Sequence, residues 1–99
     1  MIHEIAHIAV KPGLQAEFER GVEQAAQLLR RARGCRGLGL QRGIERPLHY
    51  GLVVAWDRVE DHTVHFRGSD GFQAWRGLVG HCFDALPVVE HVETALSPF

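Results

Sequence analysis

The sequence lacks several things that would define a functional class. It contains no asparagine, and no apolar run approaches the ~18 residues that a membrane-spanning helix needs. No basic run exceeds two residues and the net charge is −1, so a nucleic-acid partner is not expected. No signal-peptide pattern opens the chain. These absences predict a soluble cytoplasmic protein that binds neither nucleic acid nor membrane.

The two cysteines, Cys35 and Cys82, match no spacing typical of a zinc or redox motif. We expect both to be reduced thiols with structural roles. The cysteine pattern therefore predicts no metal site.

What is present is the composition of a globular protein. Hydrophobic residues make up 45% and charged residues 23% of the 99 residues. This length predicts a single domain spanning 1–99. A domain of this size buries only roughly 60–68% of its unfolded surface, so association of copies is an expected source of additional stability.

Hydrophobic periodicity predicts strands near 2–10, 35–45, 48–57 and 87–96. In the first strand one face carries Ile2, Glu4, Ala6, Ile8 and Val10.

Two helical regions are predicted near 14–33 and 58–79. The first carries an apolar stripe at helical spacing and is followed by Gly34, a residue that often ends helices. Asp57 and Glu60 suggest a capping box for the second region, and Ser69 can cap its later part.

The predicted order β-α-β-β-α-β is typical of an α+β ferredoxin-like fold, a four-stranded antiparallel sheet with both helices on one face. The strands are apolar on both sides, so the uncovered face should be buried against a second copy. We therefore expect a homodimer that pairs two sheets. Gly37, Gly39 and Gly43 would permit close approach there or beside a pocket.

Several segments carry a resemblance to a known family. The first strand runs into "KPG" and a long helix, "LVVAWDRVEDHTVHF" runs into "FQAW", and "PVVEHVE" lies near the end. With these segments the chain resembles the antibiotic biosynthesis monooxygenase family of dimeric α+β barrel proteins. The resemblance implies a dimer and a cavity between the second helical region and the sheet. Relatives include cofactor-free oxidases of aromatic polyketides, quinol-oxidising enzymes and haem-degrading monooxygenases.

Haem degradation is the weakest of these alternatives. That branch uses an asparagine on the first strand, a tryptophan and a haem-ligating histidine. Here there is no asparagine, and Trp75 is followed by a histidine only six residues on, at His81, rather than ten. The polyketide-oxidising branch also uses an asparagine, so no known catalytic set carries over intact.

Histidines are the candidate catalytic residues. His62 and His65 stand three apart in a predicted helix, so they should share a heading toward the cavity. The spacing suits two metal ligands, but no third ligand has matching spacing, so no metal site is predicted here. A neutral imidazole near pH 7 is a suitable general base, and His91 is the third candidate. A histidine base would make the rate rise through about pH 6–7.

Aromatic side chains are the candidate substrate-binding residues. A flat aromatic ligand stacks well on such rings, and His7 or His91 is expected across from them. The first and last strands are neighbours in this fold, so these two histidines can lie close together. The candidates for substrate binding are His7, Trp56, Phe66, Phe72 and Trp75.

The sequence alone leaves two functions open. The first is a monooxygenase without any cofactor that oxidises an electron-rich aromatic substrate, a phenol, quinol or polyketide. The second is a non-catalytic or stress-related domain that binds a small molecule in the same pocket. Haem binding is a third and less favoured alternative.

Overall fold

The computed structural model describes all residues, Met1–Phe99. The chain forms four strands and two α-helices, with short π-helical and 3₁₀ segments beside the second helix. In chain order the elements are β1 (Ile2–Ala9), α1 (Gln15–Arg30), β2 (Cys35–Arg42), β3 (His49–Trp56), the π-helical segment Asp61–Phe66, α2 (Asp70–Val79), the 3₁₀ turn Gly80–Cys82 and β4 (Val88–Val92).

The strands form one antiparallel sheet in the order β2-β3-β1-β4. The helices cover one face, which we call the inner face, and leave the other, the outer face, open. This is the ferredoxin-like arrangement, and the predicted fold is confirmed. The open sheet has two edges, β2 and β4.

The core lies between the inner face and the helices. Alternate residues of β1 and β3 point into it, and α1 contributes its apolar stripe. The fully buried side chains with the largest volumes are Trp56, Phe18, Val10, Val54, Val79 and Cys82.

Helix α1 ends three residues earlier than the apolar stripe predicted. Gly34 follows it with a φ of +76°, a conformation that favours glycine. A Cβ at this position would lie 2.0 Å from a carboxylate oxygen of Asp61, so the residue also lets the two segments approach.

The second helical region is divided rather than continuous. The residues from Asp61 to Phe66 are π-helical, with the Arg67 N–H donating to the His62 carbonyl at 3.1 Å. Ser69 is extended and begins α2, where its hydroxyl accepts from the Phe72 N–H at 3.3 Å, so the predicted cap is confirmed.

The predicted capping box at Asp57 is wrong. The Asp57 side chain instead accepts two hydrogen bonds from the Arg36 guanidinium, at 2.9 and 2.7 Å. This ion pair lowers the pKa of Asp57. It joins the start of β2 to the end of β3.

The strand ends also differ from the prediction. β2 ends at Arg42 rather than near residue 45, and β4 ends at Val92 rather than near residue 96. β4 pairs only with β1, and its five residues are those of the register from His3↔Val92 to His7↔Val88. No helix is long and apolar enough to cross a membrane.

Candidate active site

A cavity of about 360 Å³ lies between the inner face of the sheet and the second helical region. Its walls are mainly apolar and aromatic. Residues from β1, α2, the π-helical segment and the loop before β4 contribute to it. The cavity lining includes the side chains of Glu4, His62, Phe66, Arg67, Phe72, Trp75 and Arg76.

Three elements place a polar chain at one end of this cavity. Strand register sets Glu4 of β1 opposite His91 of β4, so both side chains point to the inner face. The π-helical segment then lays His62 over them. The result is a row of Glu4, His62 and His91 in an otherwise apolar region.

Two hydrogen bonds and one longer polar contact connect Trp56 and the side chains of this row. Trp56 Nε1, which can only donate, lies 3.0 Å from Glu4 Oε1. His62 Nε2 is 3.4 Å from the same oxygen, and its Nδ1 is 2.8 Å from His91 Nε2. In the tautomer of neutral His62 that carries its proton on Nε2, this proton faces the carboxylate and Nδ1 accepts a hydrogen bond from His91 Nε2.

Burial controls the charge of this row. Removal from water lowers the pKa of His62 to about 4, and the nearby positive groups Arg67 and His91 lower it further. His62 is therefore neutral at pH 7. Burial also raises the pKa of Glu4 above its usual range, although the indole hydrogen bond from Trp56 opposes the shift.

One oxygen of Glu4 remains available to a ligand. The contacts from Trp56 Nε1 and His62 Nε2 both go to Oε1. No buried side-chain oxygen lacks a partner, so Oε2 is accessible, and Glu4 lines the cavity. A carboxylate with a raised pKa at the wall of an apolar pocket is suited to accept a proton from a bound molecule.

Aromatic rings form the walls beside this row. Phe66 and Phe72 pack edge to face with centroids 5.8 Å apart, and Trp75 lines the same cavity. Trp56 was also expected in the pocket, but it is fully buried beneath it and stacks on His62 at 5.5 Å. Trp56 thus supports the row rather than lining the cavity.

The expectation that His62 and His65 share a heading is wrong. His62 is 3% exposed and lines the cavity, whereas His65 is exposed at the surface. The spacing argument assumed an α-helix, in which residues three apart lie on one side. A π-helix is wider, with i→i+5 hydrogen bonds, so the same spacing separates the two side chains.

His7 also lies elsewhere than expected. β1 and β4 are neighbours as predicted, but His7 pairs with Val88 and points to the outer face, away from His91. There its Nε2 is 3.1 Å from a carboxylate oxygen of Glu90, and both side chains are exposed. His7 and His91 are therefore separated by the sheet.

Sequence reasoning missed the place of Glu4 in the cavity. A carboxylate on the apolar face of β1 is itself a signal of a buried polar site. Arg67 and Arg76 also line the cavity while remaining exposed, and neither makes an ion pair within the chain.

Comparison with known proteins identifies relatives of this chain. The family model for antibiotic biosynthesis monooxygenases matches residues 1–78. The chain is 37% identical over 93 residues to the uncharacterised protein YczJ of Bacillus subtilis, which covers 94% of this chain and 98% of YczJ.

Solved structures share the fold. The crystal structure of a protein from Bordetella bronchiseptica that carries this family's name is 54% identical, covers 96% of this chain and 97% of its own, and superposes with a TM-score of 0.95. SnoaB from Streptomyces nogalater, described as a cofactor-independent oxygenase, has a TM-score of 0.81 at 14% identity, over 98% of this chain and 95% of SnoaB. At that identity the likeness to SnoaB shows the fold alone.

Proposed function

Because the chain belongs to the antibiotic biosynthesis monooxygenase family, we propose that it is a cofactor-independent monooxygenase for an electron-rich aromatic substrate. The substrate class is a phenol, quinol or polyketide-like compound. The observation that carries this proposal is the cavity with aromatic walls and a buried Glu4–His62–His91 row at one end.

The cavity suits a small planar molecule. Its volume of about 360 Å³ is near the lower end of the roughly 300–1,000 Å³ typical of ligand sites. Phe66, Phe72 and Trp75 offer ring faces and edges, and each good ring pair contributes about 0.5–1.5 kcal/mol beyond burial. Apolar walls also keep water from the reacting atoms.

Glu4 is the group we assign as the general base. Its Oε2 takes a proton from the substrate, while Trp56 Nε1 and His62 Nε2 hold Oε1. His91 holds His62 in the required tautomer through the 2.8 Å hydrogen bond. The sequence-based candidates His62 and His91 thus act together with the carboxylate.

The reaction needs little else from the protein. The substrate anion itself reduces O₂. One oxygen atom enters the activated ring carbon, and the other leaves as water with two hydrogens of the substrate. Both come from that carbon in an anthrone, whereas in a phenol or quinol one comes from the carbon and the other from a hydroxyl group. Electrons and atoms balance without a flavin, haem or metal.

The outer face supports a homodimer. Val88 is 67% and Val92 41% exposed, and Gly39 has no neighbouring atom within 4 Å of where a Cβ would lie. We propose that the chain 1–99 acts as one domain and pairs this face with a second copy, burying on the order of 2,000 Å² in total. Sedimentation at micromolar concentration checks this, and a stable monomer would contradict it.

Oxygen consumption with a panel of quinols, naphthols and anthrones tests the activity. The full chain should consume O₂ and release the quinone at equal rates, faster than the substrate alone. Binding without consumption, seen as ligand-dependent thermal stabilisation, would instead support a non-catalytic binding domain. A Soret shift on adding haem would support the haem alternative.

A further inference from the structure

A second group of side chains lies apart from the cavity and has no part in the proposed reaction. Glu17 extends from the first turn of α1, and His81 and Cys82 belong to the 3₁₀ turn after α2. None of the three lines the cavity. Their donor atoms all lie within 4.8 Å of one another.

The backbone fixes this group in place. The Lys11 N–H donates to the Cys82 carbonyl at 2.9 Å, and Phe83 forms a β-bridge with Val10. The Cys82 side chain is fully buried, so its sulfur has a defined position. The turn is therefore held against the beginning of α1 by contacts that do not involve the three donor atoms.

The contacts do not fit a nucleophilic triad. In such a triad one imidazole nitrogen faces the thiol and the other faces the carboxylate. Here the same nitrogen, His81 Nε2, contacts Glu17 Oε2 and lies 3.6 Å from Cys82 Sγ. A sulfur, a nitrogen and an oxygen that lie within 4.8 Å of one another are instead a set of ligands that one metal ion can take.

We propose that Glu17, His81 and Cys82 bind a zinc ion. In a tetrahedral zinc site the sulfur lies about 3.5 Å from a nitrogen or oxygen ligand, given the usual zinc–ligand distances. Cys82 Sγ is 3.6 Å from His81 Nε2 and 4.0 Å from Glu17 Oε2. Binding therefore mainly requires the imidazole and carboxylate to turn from each other onto the ion.

The ligand types and charges favour zinc over harder ions. A thiolate with an imidazole suits Zn²⁺, whereas Mg²⁺ and Ca²⁺ prefer oxygen alone. One thiolate and one carboxylate neutralise a divalent ion. Glu17 and His81 are about half exposed, which leaves an entry path and a fourth position for water.

The ion would join the first turn of α1 to the turn that precedes the loop at the cavity. Leu86 and Pro87 of that loop line the cavity. The site is thus placed to stabilise one wall of the pocket without contacting the substrate.

Cobalt titration of the full chain after dialysis against a chelator tests the proposal. One Co²⁺ per chain should bind and give a thiolate charge-transfer band with the intense visible bands of tetrahedral cobalt, and Zn²⁺ should displace it. Zn²⁺ should also raise the melting temperature, because the folded state binds the ion.

Matched variants locate the site. Glu17→Gln and His81→Ala change exposed side chains and should each weaken Co²⁺ affinity by at least about 10–100-fold. Glu23→Gln, exposed on the same helix, and Cys35→Ala, which removes the other thiol, should leave it unchanged. Absence of the charge-transfer band, its loss in Cys35→Ala, or unchanged affinity in both ligand variants would overturn the proposal. These measurements do not use oxygen consumption, so they fail or succeed independently of the proposed oxygenase activity.

Discussion

Two clusters in this molecule contain the same residue types in different surroundings. At the cavity, Glu4 and His62 are 6% and 3% exposed, and His91 extends the row. At the N-terminal end of α1, Glu17 and His81 are in contact at the surface, with about half of each side chain exposed. His62 Nε2 is 3.4 Å from Glu4 Oε1, and His81 Nε2 is in direct contact with Glu17 Oε2.

Burial accounts for the difference in chemistry. Desolvation makes His62 neutral and Glu4 harder to ionise, as the proposed proton transfer to Glu4 requires. The surface pair keeps access to water and to ions, and its third member is a thiol rather than a second imidazole. A carboxylate next to an imidazole therefore has no single chemical role, and the burial of the pair determines which role it can take.

The largest effect should come from removing the buried carboxylate's charge. Glu4→Gln keeps an oxygen for the Trp56 indole but cannot accept a substrate proton. We expect the rate of oxygen consumption to fall by roughly 10²–10⁴-fold with the fold intact. Glu17→Gln is the matched change in the surface cluster and, when both proteins are assayed free of metal, should leave the rate unaltered; equal losses in Glu4→Gln and Glu17→Gln would contradict the distinction between the two clusters.

The next effect concerns stability at the base of the cavity. Trp56 is fully buried and supports both Glu4 and His62. Trp56→Ala should reduce the free energy of unfolding by about 3–5 kcal/mol, measured by urea denaturation. His81→Ala, without metal, should change it by less than about 0.5 kcal/mol. A small loss of unfolding free energy in Trp56→Ala would contradict the view that Trp56 stabilises the Glu4–His62–His91 row.

Acid should destabilise the buried cluster selectively. The folded-state pKa of His62 is about 4, against 6.5 when unfolded, so the unfolded chain binds more protons between these values. Its contribution is complete above about pH 6.5 and declines as pH falls toward 4, by up to ~3 kcal/mol. Glu4 works in the opposite direction, since its pKa is raised and its own contribution declines as pH rises.

The comparison of variants isolates the histidine. Between pH 7 and pH 4.5 the wild-type chain should lose more stability than His62→Gln, and His65→Gln should behave as the wild type. Identical pH profiles for the wild type and His62→Gln would show that His62 is not desolvated in solution.

The smallest effect is expected at His65. It lies in the same π-helical segment as His62 but is exposed. His65→Ala should leave the oxygen-consumption rate unchanged and alter stability by less than about 0.5 kcal/mol. A loss of activity in His65→Ala would support the sequence-based prediction that His65 takes part in catalysis, despite its exposed position.

Sequence patterns predicted the fold well because it depends on periodicity and order. The alternation in β1 and β3, the stripe in α1 and the cap at Ser69 are local signals, and connection rules convert their order into a topology. The predicted ends of the strands were less accurate. β4 ends at Val92, where its pairing with β1 ends, and the position of that end depends on a strand that is distant in the sequence.

The site was predicted only in part. His62, Phe66, Phe72 and Trp75 do line one cavity, as the helical spacing and the family resemblance suggested. His65 was misplaced because nothing in its local sequence distinguishes a π-helical turn from an α-helical one. Glu4 was overlooked because its importance arises from tertiary burial. Glu17 and the His81–Cys82 pair are 64 residues apart, beyond any spacing motif.

Strand β4 has a further consequence for the dynamics of the pocket. It is an edge strand of five residues that pairs with β1 alone, and it carries His91. Local opening of a protein begins where few hydrogen bonds hold the backbone. Amides of β4 should therefore exchange with solvent faster than those of β3 at the centre of the sheet. Each such excursion moves the His91 imidazole away from His62 Nδ1, so the Glu4–His62–His91 row should form and break at the rate at which this edge strand opens.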